Sequence, residues 1–358
     1  MKKIIIWGAG ELGQFVLKQI QVYFKQWFCC GIVDRNKAIW DNMVYEGGHM
    51  IESPNILKHK QCDLLIVCAN KYWEIAETAE KIYGVSRNKM MWVDTIWPGQ
   101  LIMNPRQKWE RLVFMPFVSD SNEYKEALEE IVRGEGILNE LGIKYNTDKA
   151  QIMYEKEGFR LTHDYLRHYE RVLNEIQDEK NILCELGCGT GASLKMWKEY
   201  LPQSQIVGVD INADANSYKE DRIDIVIGNA AQNETINIIK EKYKSLNIII
   251  DDASHAWGDM RISFEKLWDV LSSGGIYIIE DIFCGSMGSF PQYPPVCWDS
   301  QSILDYILDR AKIMNFARDW NPEYNRYHFE HLPDYIRKIE YELDEVHIVH
   351  GSLIIRKR

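Results

Sequence analysis

Long apolar runs, an excess of positive charge and paired-cysteine motifs are all missing from this sequence. No stretch approaches the roughly 18 apolar residues of a membrane-spanning helix, so no membrane span is expected. The formal net charge is -11 at pH 7, which argues against a surface for phosphate backbones and against nucleic acid as a partner. None of the eight cysteines falls in a CxxC pattern, so we expect reduced thiols and a cytoplasmic protein.

The first residues, MKKIIIWGAGELG, are too short and too rich in glycine for a signal peptide and indicate a strand followed by a turn. A length of 358 residues favours two domains, and 46% hydrophobic residues are enough for a proper core. Two segments show an apolar strand, a glycine-rich turn and then a helix, starting at Lys2 and at Lys180. This pattern predicts an α/β protein with two Rossmann-like doubly wound domains.

Composition also suggests where the domains divide. Prolines and a weak periodicity of hydrophobic residues near residues 98–120 predict a linker, and a helical stretch follows it. We therefore expect a nucleotide-binding domain at residues 1–104, a linker and helix at 105–135, and a second domain at 136–358. In the second domain, alternating strands and helices end in a hairpin, which predicts the seven-stranded sheet of class I methyltransferases.

The second glycine loop, ELGCGTGAS, has the form seen with S-adenosylmethionine, and the dinucleotide form Gly-x-Gly-x-x-Gly is absent from it. Asp210 ends the next strand, where a carboxylate accepts hydrogen bonds from ribose hydroxyls. Asn229 stands where an acidic residue often holds the adenine amino group, and an amide can still bond to adenine. S-adenosylmethionine is therefore favoured over NAD. The candidate cofactor-binding residues are Glu185, Gly187, Gly189, Thr190, Gly191, Ser193, Asp210, Asn229 and Asp251.

The motifs KYNTDK, HDYLRHYERVL, LCELGCGTGAS, IIIDDASHAWGDM and LSSGGIYIIEDI occur in that order between about residues 135 and 285. Together they resemble the macrocin/mycinamicin-type sugar O-methyltransferases, a family also labelled cephalosporin hydroxylase-like. The resemblance implies a metal-dependent class I enzyme that uses S-adenosylmethionine and Mg²⁺ (or Mn²⁺). It further implies that Asp252, Glu280 and Asp281 hold the metal and that His255 is the catalytic base, with Asp252 also counted as catalytic.

Some residues of this region keep two interpretations. Asp251 is expected to support the site by hydrogen bonding, not as a direct metal ligand. The acidic residues could instead only cap loops, with His255 packed locally. Tyr165, Tyr169 and His163 have helical spacing that fits core packing as well as ligand contact. The segment that follows Asp281, rich in proline and aromatic residues, fits an acceptor-binding loop or ordinary loop packing equally.

The first glycine loop, GAGELG, places Gly8, Gly10 and Gly13 between a strand and a helix, with Asp34 at the end of the next strand. The pattern is the dinucleotide fingerprint, so NAD is one candidate ligand. The region also resembles the small N-terminal domain of bacterial sugar acyltransferases, which implies nucleotide-sugar binding. A structural or oligomerising domain that binds nothing is the third option.

The sequence as a whole favours an enzyme that methylates a sugar hydroxyl from S-adenosylmethionine. A nucleotide-activated or glycan-precursor sugar for a surface polysaccharide is the expected acceptor, and a secondary-metabolite sugar is the other option. An NAD-dependent oxidoreductase and a nucleotide-sugar-binding protein remain as alternatives. The oligomeric state stays open, with a homo-oligomer as one option.

Overall fold

The computed structural model describes residues 1–41, 48–95, 112–118, 136–155, 158–284, 301–312 and 329–358, and also residues 122, 126, 323 and 326. The described residues up to His163 form one compact unit, and those from Asp164 onward form a second.

The first unit is built around one mixed sheet. Its strands are β1 (Lys2–Trp7), β2 (Trp27–Val33), β3 (Ile51–Glu52), β4 (Leu64–Val67), β5 (Met90–Thr95), β6 (Leu112–Pro116), β7 (Ile152–Glu155) and β8 (Gly158–Leu161). Its described helices include α1 (Glu11–Tyr23), α2 (Tyr72–Tyr83) and α3 (Ile137–Tyr145). The strand order is β3-β2-β1-β4-β5-β6-β8-β7, and the first five strands are parallel.

The centre of this sheet is apolar and buried on both faces, as is typical of parallel sheets. β4 is fully buried, and α1 turns Val16, Leu17 and Ile20 inward at helical spacing. Gly13 lies where α1 passes over β1, and a Cβ there would stand 1.9 Å from the carbonyl oxygen of Gly8. The last glycine of the first loop is therefore needed for close packing of helix against strand.

The structure divides the chain at a different place from the predicted boundary at residue 136. β6, β8 and β7 pair antiparallel and extend the first sheet, so residues 152–161 belong to the first unit. Short antiparallel strands carry no glycine-loop signal, which is why the sequence did not assign them. Most of the predicted linker and helix at residues 105–135 lies outside the described residues, although β6 falls within it.

The second unit contains a seven-stranded sheet. Its strands are β9 (Ile182–Leu186), β10 (Gln205–Asp210), β11 (Ile223–Ile227), β12 (Leu246–Asp251), β13 (Leu271–Ile279), β14 (Leu343–Val349) and β15 (Ser352–Lys357). The described helices are α4 (Leu166–Leu173), α5 (Ala192–Tyr200), α6 (Asn233–Lys242), α7 (Trp257–Leu267), α8 (Ile303–Ala311) and α9 (Asp334–Glu342).

The strand order is β11-β10-β9-β12-β13-β15-β14, and β15 alone runs antiparallel to its two neighbours, β13 and β14. This arrangement confirms the predicted α/β class and the predicted seven-stranded methyltransferase sheet. Because β9, β10, β12 and β13 are parallel, the loops that follow them meet at one edge of the sheet, where doubly wound folds bind ligands. In the described parts of the chain, no helix is both long and apolar enough to cross a membrane.

Candidate active site

The second glycine loop connects β9 to α5 at the ligand-binding edge of the second sheet. Gly187, Gly189 and Gly191 all adopt positive φ angles, of 83°, 48° and 74°. A Cβ at Gly187 would lie 2.1 Å from the carbonyl oxygen of Asp252, and one at Gly191 would lie 2.7 Å from the ring of Tyr218. At Gly189 a Cβ would meet nothing within 4 Å. The outer two glycines are thus required by packing, whereas Gly189 borders open space that a ligand can fill.

Asp210 at the end of β10 holds the loop in place. Its Oδ2 accepts the backbone N–H of Gly189 at 2.9 Å, and its Oδ1 accepts that of Asn212 at 2.8 Å. The thiol of Cys188 is a second, weaker donor to Oδ2 at 3.8 Å. A carboxylate oxygen can accept two hydrogen bonds, so Oδ1 can still accept one from a ribose hydroxyl. The structure therefore brings Asp210 to the loop, as the sequence predicts.

Ile211 is a candidate that the sequence reasoning missed. It follows Asp210 directly, and 75% of its surface is exposed. An exposed large aliphatic side chain beside the carboxylate predicted to bind ribose is an apolar surface on which a base can pack. Its position after the acidic residue was the signal available in the sequence.

Other predicted cofactor residues lie around the same loop with different roles. Glu185 is fully buried and accepts a hydrogen bond from the hydroxyl of Ser193 at 2.7 Å. This bond connects the end of β9 to the start of α5 and so stabilises the loop between them. Thr190 is exposed at the tip of the loop. The carbonyl oxygen of the Asn229 side chain accepts the N–H of Ala231 at 2.8 Å. Adenine contact by Asn229 therefore stays a prediction for its amide nitrogen.

Asp251 and Asp252 separate at the end of β12, because successive side chains of a strand project to opposite sides. Asp251 is 1% exposed, and the hydroxyl of Tyr277 donates to its Oδ2 at 3.4 Å. Burial, together with the neighbouring charge of Asp252, raises the pKa of Asp251 to about 7 even though Ala253 and Ser263 bond to it. The Asp251 side chain thus lies in the interior and fits the supporting role expected for it better than direct contact with a cofactor.

Asp252, His255 and Asp281 form a group that could hold a metal ion, since one ligand atom from each lies within 4.8 Å of the others. Nε2 of His255 is 3.8 Å from Oδ1 of Asp252 and 3.6 Å from Oδ2 of Asp281. The backbone N–H of Asp252 donates to the carbonyl oxygen of Leu186 at 2.9 Å, which places the group beside the glycine loop. Two partly buried carboxylates are suitable ligands for Mg²⁺ or Mn²⁺, and an imidazole beside them can bind an ion or take a proton.

Glu280, the third predicted metal ligand, lies outside this group among the described residues. It is 2% exposed. Its backbone N–H donates to the carbonyl oxygen of Asp251 at 2.9 Å and so continues the hydrogen bonding between β12 and β13. The structure therefore assembles one imidazole and two carboxylates in place of three carboxylates. Metal binding by Glu280 stays a prediction.

The backbone is strained at two members of the group. His255 and Asp281 have φ angles of 56° and 51°, a left-handed conformation that non-glycine residues adopt at a cost of about 1–3 kcal/mol. Such strain concentrates at functional sites, where surrounding structure fixes the side chains. Tyr165 is part of that surrounding structure, since its hydroxyl bonds to Asp281 at 2.5 Å. Tyr169 is also fully buried, which is consistent with the core-packing interpretation of this residue.

The first glycine loop forms a separate candidate site in the first unit. Oδ2 of Asp34 accepts the N–H of Ala9 at 2.8 Å, and its Oδ1 accepts that of Asn36 at 2.9 Å. Gly8 adopts a φ angle of 121°, and a Cβ there would lie 2.3 Å from the carbonyl oxygen of Cys68. A Cβ at Gly10 would meet nothing within 4 Å. The predicted loop and acid are therefore neighbours, and Gly10 borders open space.

Two further predictions have limited outcomes. The expected acceptor-binding loop spans residues 282–306, of which residues 285–300 lie outside the described residues. His163 belongs to the first unit, where its N–H donates to the carbonyl oxygen of Asp148 at 3.0 Å.

Family models match both glycine-loop regions. Residues 184–277 match a methyltransferase domain, and residues 1–91 match a family described as C2185-like, N-terminal. The resemblance of the first region to acyltransferase domains receives no support from this match and stays a prediction.

Curated relatives match part of the chain. L-olivosyl-oleandolide 3-O-methyltransferase of Streptomyces antibioticus is 34% identical over 38% of this chain and 37% of its own length. Mycinamicin VI 2''-O-methyltransferase of Micromonospora griseorubida is 30% identical over 51% of this chain and 46% of its own. The chain thus spans less than half the length of these two relatives.

A solved structure, the MycE methyltransferase from the mycinamycin biosynthetic pathway in complex with Mg and SAH, aligns with a TM-score of 0.49 and 26% identity. The alignment covers 65% of this chain and 57% of that one. The matches to the domain model and to the curated relatives confirm the predicted resemblance: residues 184–277 match a methyltransferase domain, and the chain is similar to sugar O-methyltransferases.

Proposed function

We propose that this protein is a divalent-metal-dependent O-methyltransferase that moves a methyl group from S-adenosylmethionine to a sugar hydroxyl. The observation that carries the proposal is the group of Asp252, His255 and Asp281 beside the methyltransferase glycine loop. Two carboxylates and an imidazole at the carboxyl ends of two adjacent strands provide both ion ligands and a proton acceptor. The named activities of the curated relatives support the same reaction.

The residues divide the chemistry between them. When bound, S-adenosylmethionine supplies the methyl group, and a divalent ion lowers the pKa of a hydroxyl that it contacts. A sugar hydroxyl is a poor nucleophile near neutral pH, so its proton has to be removed as the new bond forms. Asp252 and Asp281 would hold the ion, and Nε2 of His255 would accept the proton. Asp210 and the open face of Gly189 would bind the adenosyl part of the donor.

The acceptor is proposed as a class only. A nucleotide-activated or glycan-precursor sugar for a surface polysaccharide fits an additional domain that carries its own glycine loop. A sugar already attached to a secondary metabolite is the other option, and the names of the curated relatives favour it. A panel that contains both kinds of sugar separates the two.

The experiment incubates the full chain with methyl-labelled S-adenosylmethionine and this panel, first with Mg²⁺ or Mn²⁺ and then with excess EDTA. We expect label in at least one sugar, loss of labelling with EDTA, and recovery when the ion is restored. Labelling that persists in excess EDTA contradicts the metal requirement. Absence of label in every sugar, with S-adenosylhomocysteine bound, contradicts sugar methylation.

The first unit is proposed to bind a nucleotide. The supporting observation is that Asp34 accepts the N–H of Ala9 beside Gly10, which borders open space. A nucleotide-sugar and NAD are both compatible with this arrangement. Calorimetry with NADH and with several nucleotide-sugars separates them, and binding of neither would favour a structural role.

A further inference from the structure

The hydroxyl of Tyr165 reaches the candidate metal-binding group although it lies 116 residues before Asp281 in the chain. It donates a hydrogen bond to Oδ1 of Asp281 at 2.5 Å. The other oxygen, Oδ2, lies 3.6 Å from Nε2 of His255. The two oxygens of one carboxylate thus face different partners. Because a carboxylate is planar and rigid, a bond that fixes Oδ1 also fixes the direction of Oδ2.

Tyr165 is itself held firmly. It is 1% exposed, and its ring stacks on that of Tyr169 with centroids 6.0 Å apart. The preceding residue, Asp164, has a φ angle of 57° and forms an ion pair with Arg167 at 2.8 Å. This ion pair closes the first turn of α4 and fixes the start of the helix next to Tyr165.

The turn between β14 and β15 covers the tyrosine from the other side. A Cβ at Gly351 in this turn would lie 2.7 Å from the Tyr165 hydroxyl, so glycine leaves just enough room for it. The carbonyl oxygen of Gly351 accepts the N–H of Ile282, the residue after Asp281, at 3.1 Å. One turn therefore packs on Tyr165 and anchors the backbone next to Asp281.

Asp281 requires such support because its own backbone does not favour the observed conformation. Its φ angle is 51°, and its carbonyl oxygen accepts the N–H of Cys284 at 2.9 Å. Conformations of this kind persist only where neighbouring contacts over-determine them. The Tyr165 hydroxyl is a contact of the Asp281 carboxylate itself.

We propose that Tyr165 is a positioning residue that aims Oδ2 of Asp281 at the metal-binding group, with Gly351 keeping the space for its hydroxyl. The inference rests on the proposed function, since an aimed carboxylate matters only where an ion binds. Partners that orient a metal-binding carboxylate commonly change metal affinity about 10–100-fold when they are removed.

The test measures Mn²⁺ affinity of the full chain by electron paramagnetic resonance, together with S-adenosylhomocysteine affinity and thermal melting. Tyr165→Phe removes one oxygen and keeps the ring, and Tyr169→Phe makes the same change in the stacked ring one helical turn away. We expect Tyr165→Phe to weaken Mn²⁺ binding about 10–100-fold and to leave S-adenosylhomocysteine affinity unchanged. Tyr169→Phe should bind Mn²⁺ like the wild type.

A second variant covers the case in which Tyr165→Phe does not fold. Gly351→Ala places a methyl group against the tyrosine hydroxyl and should weaken Mn²⁺ binding in the same direction. Wild-type affinity in a folded Tyr165→Phe chain overturns this inference and leaves the proposed function standing. A wild-type chain that binds no Mn²⁺ overturns the metal part of the proposed function and this inference with it.

Discussion

The carboxylate of Asp210 accepts the backbone N–H of Gly189 at 2.9 Å and so ties the glycine loop to the end of the neighbouring strand. The first unit repeats this relationship between Asp34 and Ala9 at 2.8 Å. In both units a single acid at the end of the second strand shapes the loop and keeps lone pairs for a ligand. Each acid therefore has a structural role in the loop, and the binding role predicted for it can be tested separately.

Asp210→Ala is expected to weaken S-adenosylhomocysteine binding by about 1–3 kcal/mol, because hydrogen bonds to a charged acceptor are lost. Calorimetry on the full chain measures this change. Asp34→Ala removes the corresponding acid of the first unit and should leave the affinity unchanged. An unaltered dissociation constant in a folded Asp210→Ala chain would exclude Asp210 from the donor site.

Gly189→Ala tests whether the open space beside the loop belongs to the ligand. A methyl group at this position meets no protein atom within 4 Å, so the chain should fold. The only destabilisation expected is the conformational strain of alanine at a φ angle of 48°. S-adenosylhomocysteine binding should nevertheless fall at least about tenfold if the donor occupies that space, a loss of roughly 1.4 kcal/mol. Gly274→Ala is the matched control, since Gly274 has a φ angle of 74° and also borders open space. Equal affinities for the two variants would place the donor elsewhere.

The second sheet could be predicted because buried parallel strands appear in the sequence as apolar runs. β9, β10, β12 and β13 each contain a short apolar run, and all four end at or beside an acidic or glycine-rich turn. The glycine loop and Asp210 followed from the same pattern. Their positions depend on local sequence, which is why they could be placed without the structure.

Contacts between distant parts of the chain could not be predicted, because no local sequence pattern identifies the two partners. β7 and β8 join the first sheet through antiparallel pairing with β6, and nothing in their short sequences identifies that partner. The bond from Tyr165 to Asp281 is equally hidden, because helical spacing fits core packing as well as ligand contact and names no partner for the tyrosine. Side-chain direction at a strand end also depends on backbone angles, so the sequence could not show that His255 lies beside the two aspartates.

Asp34→Ala should weaken nucleotide binding by the first unit, by about 1–3 kcal/mol, if the carboxylate bonds to a ribose. Calorimetry with the nucleotide that the wild type binds measures the change, and methyl transfer provides an independent readout. Asp210→Ala serves as the reciprocal control and should leave this affinity unchanged. Equal nucleotide affinity in the wild type and in a folded Asp34→Ala chain would place the nucleotide away from this loop.

Asp224 should make folding stability depend on acid pH. Burial alone would raise its pKa, but hydrogen bonds from Lys242, Tyr243 and Lys219 hold the pKa well below its ordinary value. Because the folded chain then binds fewer protons than the unfolded chain, the stabilisation is complete above the unfolded pKa near 4 and is lost as the pH falls. Asp224→Asn should therefore lower the midpoint of thermal unfolding, relative to the wild type, more at pH 7 than at pH 3. A constant effect of Asp224→Asn across this range would contradict the assignment.

His255→Ala distinguishes a catalytic base from a metal ligand. Its Nε2 lies between two carboxylates, at 3.8 Å from Asp252 and 3.6 Å from Asp281, so the geometry permits either role. As a base, its loss should slow methyl transfer by at least about a hundredfold, since general bases contribute typically 10²–10⁴-fold. Mn²⁺ and S-adenosylhomocysteine affinities should remain near those of the wild type, whereas Asp252→Ala should weaken Mn²⁺ binding and slow the reaction together. His347→Ala, at an exposed position on β14, controls for the loss of any histidine. A near-normal rate in His255→Ala would remove the base assignment, and a large loss of Mn²⁺ affinity would make His255 a ligand of the ion.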